Sequence, residues 1–286
     1  VFEEDIVELP SWLSDLLGQI KVNLINAQRL LNIEALVPGI ARQIGAMRSY
    51  GKFGKNPFLI EKCHETLSNQ TKEMLSQMNK VRLELEGTYE KRLSLIEKPF
   101  SEKEIREKFK KLLSMRSRAL EVGLISENEL NMEIPFKVTE DNANSVSLRV
   151  LDIQAQLDVI SDLLRKIELF FRIINENFHH KQLVLEEKKY LRLETKEGKF
   201  INLRWLSSGE QNQFVMFYFL IFEAPPSSIV LIDEPEISLH ISWQQKFLCY
   251  LDEVIKMKQL NIIIATHSPS IIYDRWDLAV ELGGNG

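Results

Sequence analysis

Ile229-Val-Leu-Ile-Asp-Glu234 sets four apolar residues directly ahead of two adjacent carboxylates. A short unbroken apolar run rich in β-branched residues reads as a buried strand. A second run of the same kind, Asn261-Ile-Ile-Ile-Ala265, follows, and the residues between them, Ser242 to Gln259, have helical spacing. Strand, helix, strand in that order predicts a βαβ unit and an α/β fold with a mostly parallel sheet. Parallel strands present their C-terminal ends on one edge, so whatever follows each strand is gathered there. Asp233 and Glu234 follow the first strand, and Ala265-Thr-His-Ser-Pro269, with His267 at its centre, follows the second. Far upstream, Val22-Asn-Leu-Ile-Asn26 is another short strand-like run, before the polar pair Gln28 and Arg29.

Between these outer parts the pattern is helical. A Gly/Lys-rich passage from Gly45 to Lys55 reads as a loop or hinge. From Pro57 onward apolar residues recur at steps of three or four: Met74, Met78, Val81, Leu85, Tyr89, Leu93 and Ile96. Pro99 is expected to end that helix. Ser101 with Glu104 has the form of a capping box, and Ser126 with Glu129 repeats it. A third segment carries Ile153, Leu157, Ile160, Leu164, Ile167, Phe171, Ile174 and Phe178. That seam has a period of about 3.5 residues, which suits a coiled coil, with the Met74–Ile96 helix as antiparallel partner. An amphipathic helix lying on a globular core has the same pattern, and both readings stand. Beyond His180, Gln182-Leu-Val-Leu185 and Tyr190-Leu-Arg-Leu-Glu194 alternate as strands do, and Lys196-Glu-Gly198 marks a turn before Phe200 to Leu203.

Three short elements carry the chemistry. Leu206-Ser-Ser-Gly-Glu210 feeds the apolar helix Phe214 to Phe222. Such a turn aims hydroxyls and free N–H groups at the positive end of a helix dipole, a setting for a terminal phosphate. Taken alone it is equally an ordinary N-cap. Two carboxylates after an apolar strand are costly unless paired or bound to an ion. Asp233 is therefore the candidate Mg²⁺ ligand, through the ion's water shell, and Glu234 the group that orients or deprotonates an attacking water. His267 is placed by the βαβ unit beside them, where an imidazole can contact a γ-phosphate. A lone histidine at a strand end is also a common structural residue.

In their order and spacing these residues resemble the ABC-type ATPase superfamily, over roughly residues 181–282. Leu206 to Glu210 is similar to the signature motif, with Ser208 for its usual first glycine and Glu210 for glutamine. Ile229 to Glu234 resembles the Walker B strand with its catalytic glutamate, Ile237-Ser-Leu-His240 the D-loop, and His267 the switch histidine. The Ser-Ser-Gly-Glu turn and His240 lean toward the soluble SMC-like and OLD-like branch. Asp274-Arg-Trp-Asp-Leu278 and Val280-Glu-Leu282 resemble ATPase subunits of bacterial phage-defence systems of the PARIS and Septu or retron-linked kinds.

The resemblance implies ATP and Mg²⁺ as cofactors, with Ser207, Ser208, Gly209, Glu210, Ser238 and Gln28 around the nucleotide. It implies a homodimer or higher homo-oligomer closed over ATP, and a nuclease or toxin effector answering to a nucleic-acid or phage-protein trigger. The organisation it implies is the distal part of a nucleotide-binding lobe over 1–56, a helical or coiled-coil insert over 57–180, and the C-terminal half of an ATPase domain over 181–286. The phosphate loop G-x-x-x-x-G-K-S/T does not occur, and Gly45 to Phe53 has the wrong spacing for it. With Val1 at the start, the expectation is an internal portion of a longer polypeptide whose phosphate loop lies upstream.

Composition narrows the partners. A net charge of −5 and a pI near 5.7 argue against binding nucleic acid through overall charge. Residues 80–118 differ, with 12 Lys/Arg against 7 Asp/Glu. Such a run is more often a solvated helix face, and otherwise a surface for an acidic partner or a nucleic-acid backbone. Two cysteines without metal-ligand spacing fit a reducing, cytoplasmic compartment, and no apolar run nears the roughly 20 residues of a membrane span. An SMC-class DNA-repair ATPase and a non-catalytic ATPase-like scaffold are the alternatives. The first predicts a Cys-x-x-Cys hook that the sequence lacks; the second has no need of Glu234 and His267.

Overall fold

A computed structural model describes residues 22–26, 57–128, 130, 132, 138–186, 191–237 and 239–281, and the chain separates into two compact units. One unit holds β1 (Val22–Asn26), residues 57–60 and the described residues from 204 onward; the other holds the described residues of 61–203. The fold mixes helices with a small parallel sheet, and no described helix is long and apolar enough to cross a membrane.

The helical unit begins with α1 (Pro57–Gly87) and α2 (Tyr89–Ser94), where the seam from Met74 to Ile96 was expected to be one helix. Gly87 interrupts it, since glycine loses more entropy in a helix than any other residue. Thr88 then turns its hydroxyl back to the Glu84 carbonyl at 2.8 Å, and α2 stops at Ser94, ahead of Pro99. Next comes α3 (Glu102–Glu121), which opens on a complete capping box. Ser101 Oγ accepts from the Glu104 N–H at 3.4 Å, and Glu104 Oε2 accepts from the Ser101 N–H at 2.8 Å.

At its other end α3 closes in a Schellman turn. Gly123 N–H reaches Leu120 O at 2.9 Å and Leu124 N–H reaches Ala119 O at 2.8 Å, with Gly123 at φ +74°. Leu124 and Ile125 are then buried at 0% and 2% exposure. The second capping box expected at Ser126 therefore opens no helix among the described residues, and Glu129 lies outside them. The chain is still completing the α3 cap there, because the Ile125 N–H is also spent on Ala119 O.

The long helix α4 (Ala143–Asn177) carries the 3.5-residue seam, and every member of it is buried. Val150, Leu163, Phe170 and Ile173 are buried too, so the apolar surface is wider than a two-helix seam. Its neighbours are α3 and α2. Phe100 meets Ser147 and Arg118 meets Glu168, so α3 runs parallel to α4; Arg92 meets Asp152 and Ile96 meets Asn144, so α2 runs antiparallel. Arg92 fastens that junction, giving Nη2 to Asp152 at 3.0 Å and to Leu85 O at 2.7 Å.

An antiparallel meander completes this unit: β2 (Lys181–Leu185), β3 (Leu191–Thr195) and β4 (Phe200–Ile201). Leu183 faces Leu193 and Leu185 faces Leu191, all four buried, as strict alternation requires. The Asn175 amide both donates to and accepts from the Leu183 backbone, at 3.1 and 2.6 Å, which joins the end of α4 to β2.

The other unit contains α5 (Ser208–Tyr218), a π-helical turn (Phe219–Glu223), β5 (Ile229–Asp233), α6 (Ile241–Lys258), β6 (Asn261–Ala265) and the short α7 (Pro269–Ile272). Its sheet has the order β1-β5-β6, all parallel, as the βαβ reading predicts. Among the described side chains Ile25, Val230, Ile232 and the polar Asn23 are its buried strand residues. By contrast β6, expected to be a buried strand, has none and leaves Ile263 62% exposed at the end of the described sheet. Phe217 meets the Phe247 and Tyr250 rings edge-on, with centroids 6.2 and 6.1 Å away, so its truncation to alanine would cost about 3–5 kcal/mol. Buried Lys258 gives its ammonium to the Ile221 carbonyl at 3.2 Å, answering the carbonyls left at the end of the π turn.

Candidate functional site

The C-terminal edge of the parallel sheet collects the acidic and imidazole side chains. Asn26, Asp233 and Ala265 stand in register at the ends of β1, β5 and β6. One residue past β5, Glu234 turns into the left-handed region at φ +47°, and its N–H donates to Ala265 O at 2.8 Å. A non-glycine residue held there costs on the order of 1–3 kcal/mol and persists only where its surroundings enforce it. The enforcement is visible: the neighbouring strand fixes the Glu234 N–H, and the Glu234 carbonyl accepts from Ile237 N–H at 3.2 Å. Asp233 and Glu234 therefore leave the chain from two different backbone conformations, which splits their directions more sharply than strand alternation alone.

Thr266 and His267 follow β6 at the same edge, half-buried and exposed respectively. The group that ties them down is Glu236, which no sequence motif singled out. Its Oε2 accepts from the Thr266 hydroxyl at 2.7 Å and its Oε1 from the His267 N–H at 2.9 Å. Only a third acidic residue in Asp233-Glu-Pro-Glu236 hinted at it.

At the start of α5, Ser207 is the N-cap of a second complete capping box. Its Oγ accepts from the Glu210 N–H at 3.3 Å, and Glu210 Oε2 accepts from the Ser207 N–H at 2.8 Å. Glu210 stands where a capping box requires Glu or Gln. The cap uses the Ser207 oxygen as acceptor and leaves its O–H to be donated elsewhere. Of the first-turn amides, those of Ser208 and Gly209 have no partner within the helix by geometry. Ser207 and Ser208 are exposed, and Gly209 is buried. His240 caps α6 in turn, its Nδ1 accepting from the Ser242 N–H at 3.3 Å. Gln28 and Ser238 lie outside the described residues.

A profile of the family described as "AAA domain, putative AbiEii toxin, Type IV TA system" matches residues 80–272. The chain belongs to this AAA-domain family. It is also similar to "Retron Ec83 probable ATPase" of Escherichia coli, 26% identical over 53% of this chain and 29% of that protein. "Thiamine import ATP-binding protein ThiQ" of Histophilus somni is 31% identical over 27% of this chain and 35% of that one. The chain thus spans about a third of the length of these two relatives. Among solved structures, an Smc head domain bound to the C-terminal domain of ScpA, from Pyrococcus furiosus, aligns over 80% of this chain and 55% of its own at 15% identity, with a TM-score of 0.27.

AAA-family ATPase domains use a nucleotide and usually Mg²⁺, and the residues present fit that ion in part. Among the described residues no three His, Cys, Asp or Glu cluster as a metal cage. Mg²⁺ does not need one: it keeps several waters and takes one or two carboxylates plus phosphate oxygens. The half-buried Asp233, at a strand end, is a carboxylate of that kind. The phosphate side is different, because no G-x-x-x-x-G-K-S/T run exists in the sequence to cradle the β and γ phosphates.

Proposed function

We propose that this AAA-family chain is the signature-and-hydrolysis portion of an ABC-class ATPase subunit. On this reading it binds and hydrolyses ATP together with a phosphate loop supplied by residues outside this sequence. The observation that carries the proposal is Glu234, held left-handed at the sheet edge one residue beyond Asp233 and hydrogen-bonded to the strand that leads to His267. Asp233 would hold Mg²⁺ through its water shell, and the ion would supply positive charge to offset that of the phosphates. Glu234 takes the proton of the attacking water, and His267 donates to the terminal phosphate. Ser207, through its O–H, with Ser208 and Gly209 through their amides, addresses the nucleotide of a second copy across an ATP-closed homodimer. The D-loop residues around Ser238, and Gln28, complete the nucleotide's surroundings.

Similarity to a retron ATPase, and a family described by a toxin–antitoxin system, support a further step. ATP-dependent assembly would control a partner effector, a nuclease or toxin, in anti-phage defence.

Glu234→Gln in the natural full-length polypeptide is the test. The swap keeps size and hydrogen bonding but removes the charge that draws the proton, so hydrolysis should fall by about 10²–10⁴-fold while ATP binding persists. Hydrolysis at the parental rate would remove Glu234 from the role of base.

A further inference from the structure

The loop after β5 and the loop after β6 are joined by a closed ring of hydrogen bonds. Glu236 accepts from Thr266 Oγ1 at 2.7 Å, and Thr266 Oγ1 accepts from Ser268 N–H at 3.0 Å. Ser268 Oγ donates to Gln244 Oε1 at 2.8 Å, and Gln244 Nε2 donates to Leu239 O at 3.2 Å. Leu239 N–H returns to Glu236 O at 3.0 Å and closes the circuit. His267 sits inside the ring, between Thr266 and Ser268, with its own N–H given to Glu236 Oε1 at 2.9 Å. Two residues before Glu236 stands Glu234.

We propose that Glu236 is a positioning residue, fixing the backbone of His267 at a set distance from Glu234. This rests on the roles proposed for Glu234 and His267. Charge-assisted hydrogen bonds to a carboxylate are roughly twice as strong as neutral ones, so a single ionised side chain can hold two loops that have no covalent link nearby. The imidazole itself is exposed and leaves from a backbone that the carboxylate grips on both sides, through Thr266 and through the His267 amide. Without the grip, the His267 loop keeps only the Glu234 N–H to Ala265 O bond before it and the Ser268 to Gln244 bond after it, so His267 itself gains freedom between them. Misplacement of a reacting group by about 1 Å can cost on the order of 10²-fold in rate. The ring also passes through Leu239 and Gln244, so a displacement of the segment before α6 is transmitted to the loop that carries His267.

The experiment uses the full-length polypeptide and four variants: Glu236→Ala, Glu236→Gln, His267→Ala and the Glu236→Ala/His267→Ala double. Glu236→Ala should lower kcat for ATP by about 10- to 100-fold with KM nearly unchanged. Glu236→Gln, which can still accept the His267 N–H, should recover part of that loss. In the His267→Ala background the Glu236 change should have little further effect, because it acts through His267. An equal fold-loss with and without His267, or a parental kcat in Glu236→Ala, would overturn the assignment. Should Glu236→Ala fail to fold, Thr266→Val, which removes one hydroxyl at constant shape, takes its place in the same cycle. A kcat loss that vanishes in the His267→Ala background then supports the positioning role, and an equal loss or none defeats it. Glu234→Gln run alongside separates the failures: loss of hydrolysis there with no effect of Glu236 defeats only the positioning role, whereas parental hydrolysis in Glu234→Gln defeats the reading of the site.

Discussion

Glu104 accepts hydrogen bonds from the Ser101 hydroxyl and the Ser101 amide, and these hold its carboxyl below the usual glutamate range. A depressed folded-state pKa favours the folded protein above the unfolded value, and the benefit is lost as pH falls through the folded one. The start of α3 should therefore weaken on acidification, and Glu104→Gln should remove that share of the pH dependence. Carboxyl titration by NMR and thermal midpoints on both proteins check this; a Glu104 that titrates in the ordinary range would refute it. Single residues differed in how far the sequence exposed them. That Asp233, Glu234 and His267 would meet at one sheet edge could be read from the sequence, because parallel strands bring their C-terminal ends together. Glu236 could not, since its role lies in hydrogen bonds to a loop 30 positions along the chain. Ser101 and Ser126 open similar motifs, yet among the described residues only the first caps a helix, because the second directly follows the buried Leu124 and Ile125, which close α3.

Gly123 and Gly198 both lie at positive φ, +74° and +79°, but in different surroundings. A Cβ on Gly123 would come within 2.4 Å of the Leu185 carbonyl oxygen at the end of β2, whereas one on Gly198 would meet nothing within 4 Å. Gly198→Ala should cost only the conformational penalty, about 1–3 kcal/mol. Gly123→Ala should cost that and a further 1–3 kcal/mol or so, since the obstacle is backbone and cannot swing away. Urea unfolding of the two variants measures the difference, and equal losses would mean that the α3 end is not pressed against β2. Elements themselves were mostly legible. The period of the α4 seam and the apolar runs of β1, β5 and β6 specify their type, although the β6 run, read as buried, leaves Ile263 62% exposed. Partners were less so: the α4 seam fits a coiled coil on paper, and only the burial of Val150, Leu163 and Phe170 shows how wide its apolar surface is.

At the scale of the molecule, a bulky cation at Ser207 should block closure of two copies over ATP while leaving each able to take nucleotide. Light scattering of the full-length Ser207→Arg protein with ATP should then show no association, and association equal to the parent's would count against the two-copy reading. The basic stretch 80–118 also looks different once folded. Arg92 is spent on Asp152, Arg106 on Glu102, Arg118 on Glu168, Lys108 on the Phe100 ring and Arg116 on two carbonyls, so much of its charge is used within its own unit. Composition reported the cations but not their partners. The pairing of β1 with β5 has a consequence for synthesis. Val22 lies opposite Ile229, about 200 residues on, so at the usual 5–20 residues per second the first strand waits roughly 10–40 s on the ribosome before its neighbour exists. Over that interval the helices and meander of residues 61–203, whose contacts close among themselves, are complete and free to fold. The nascent chain should therefore acquire its inserted unit first, and β1 gains its pairing partner only when translation reaches β5.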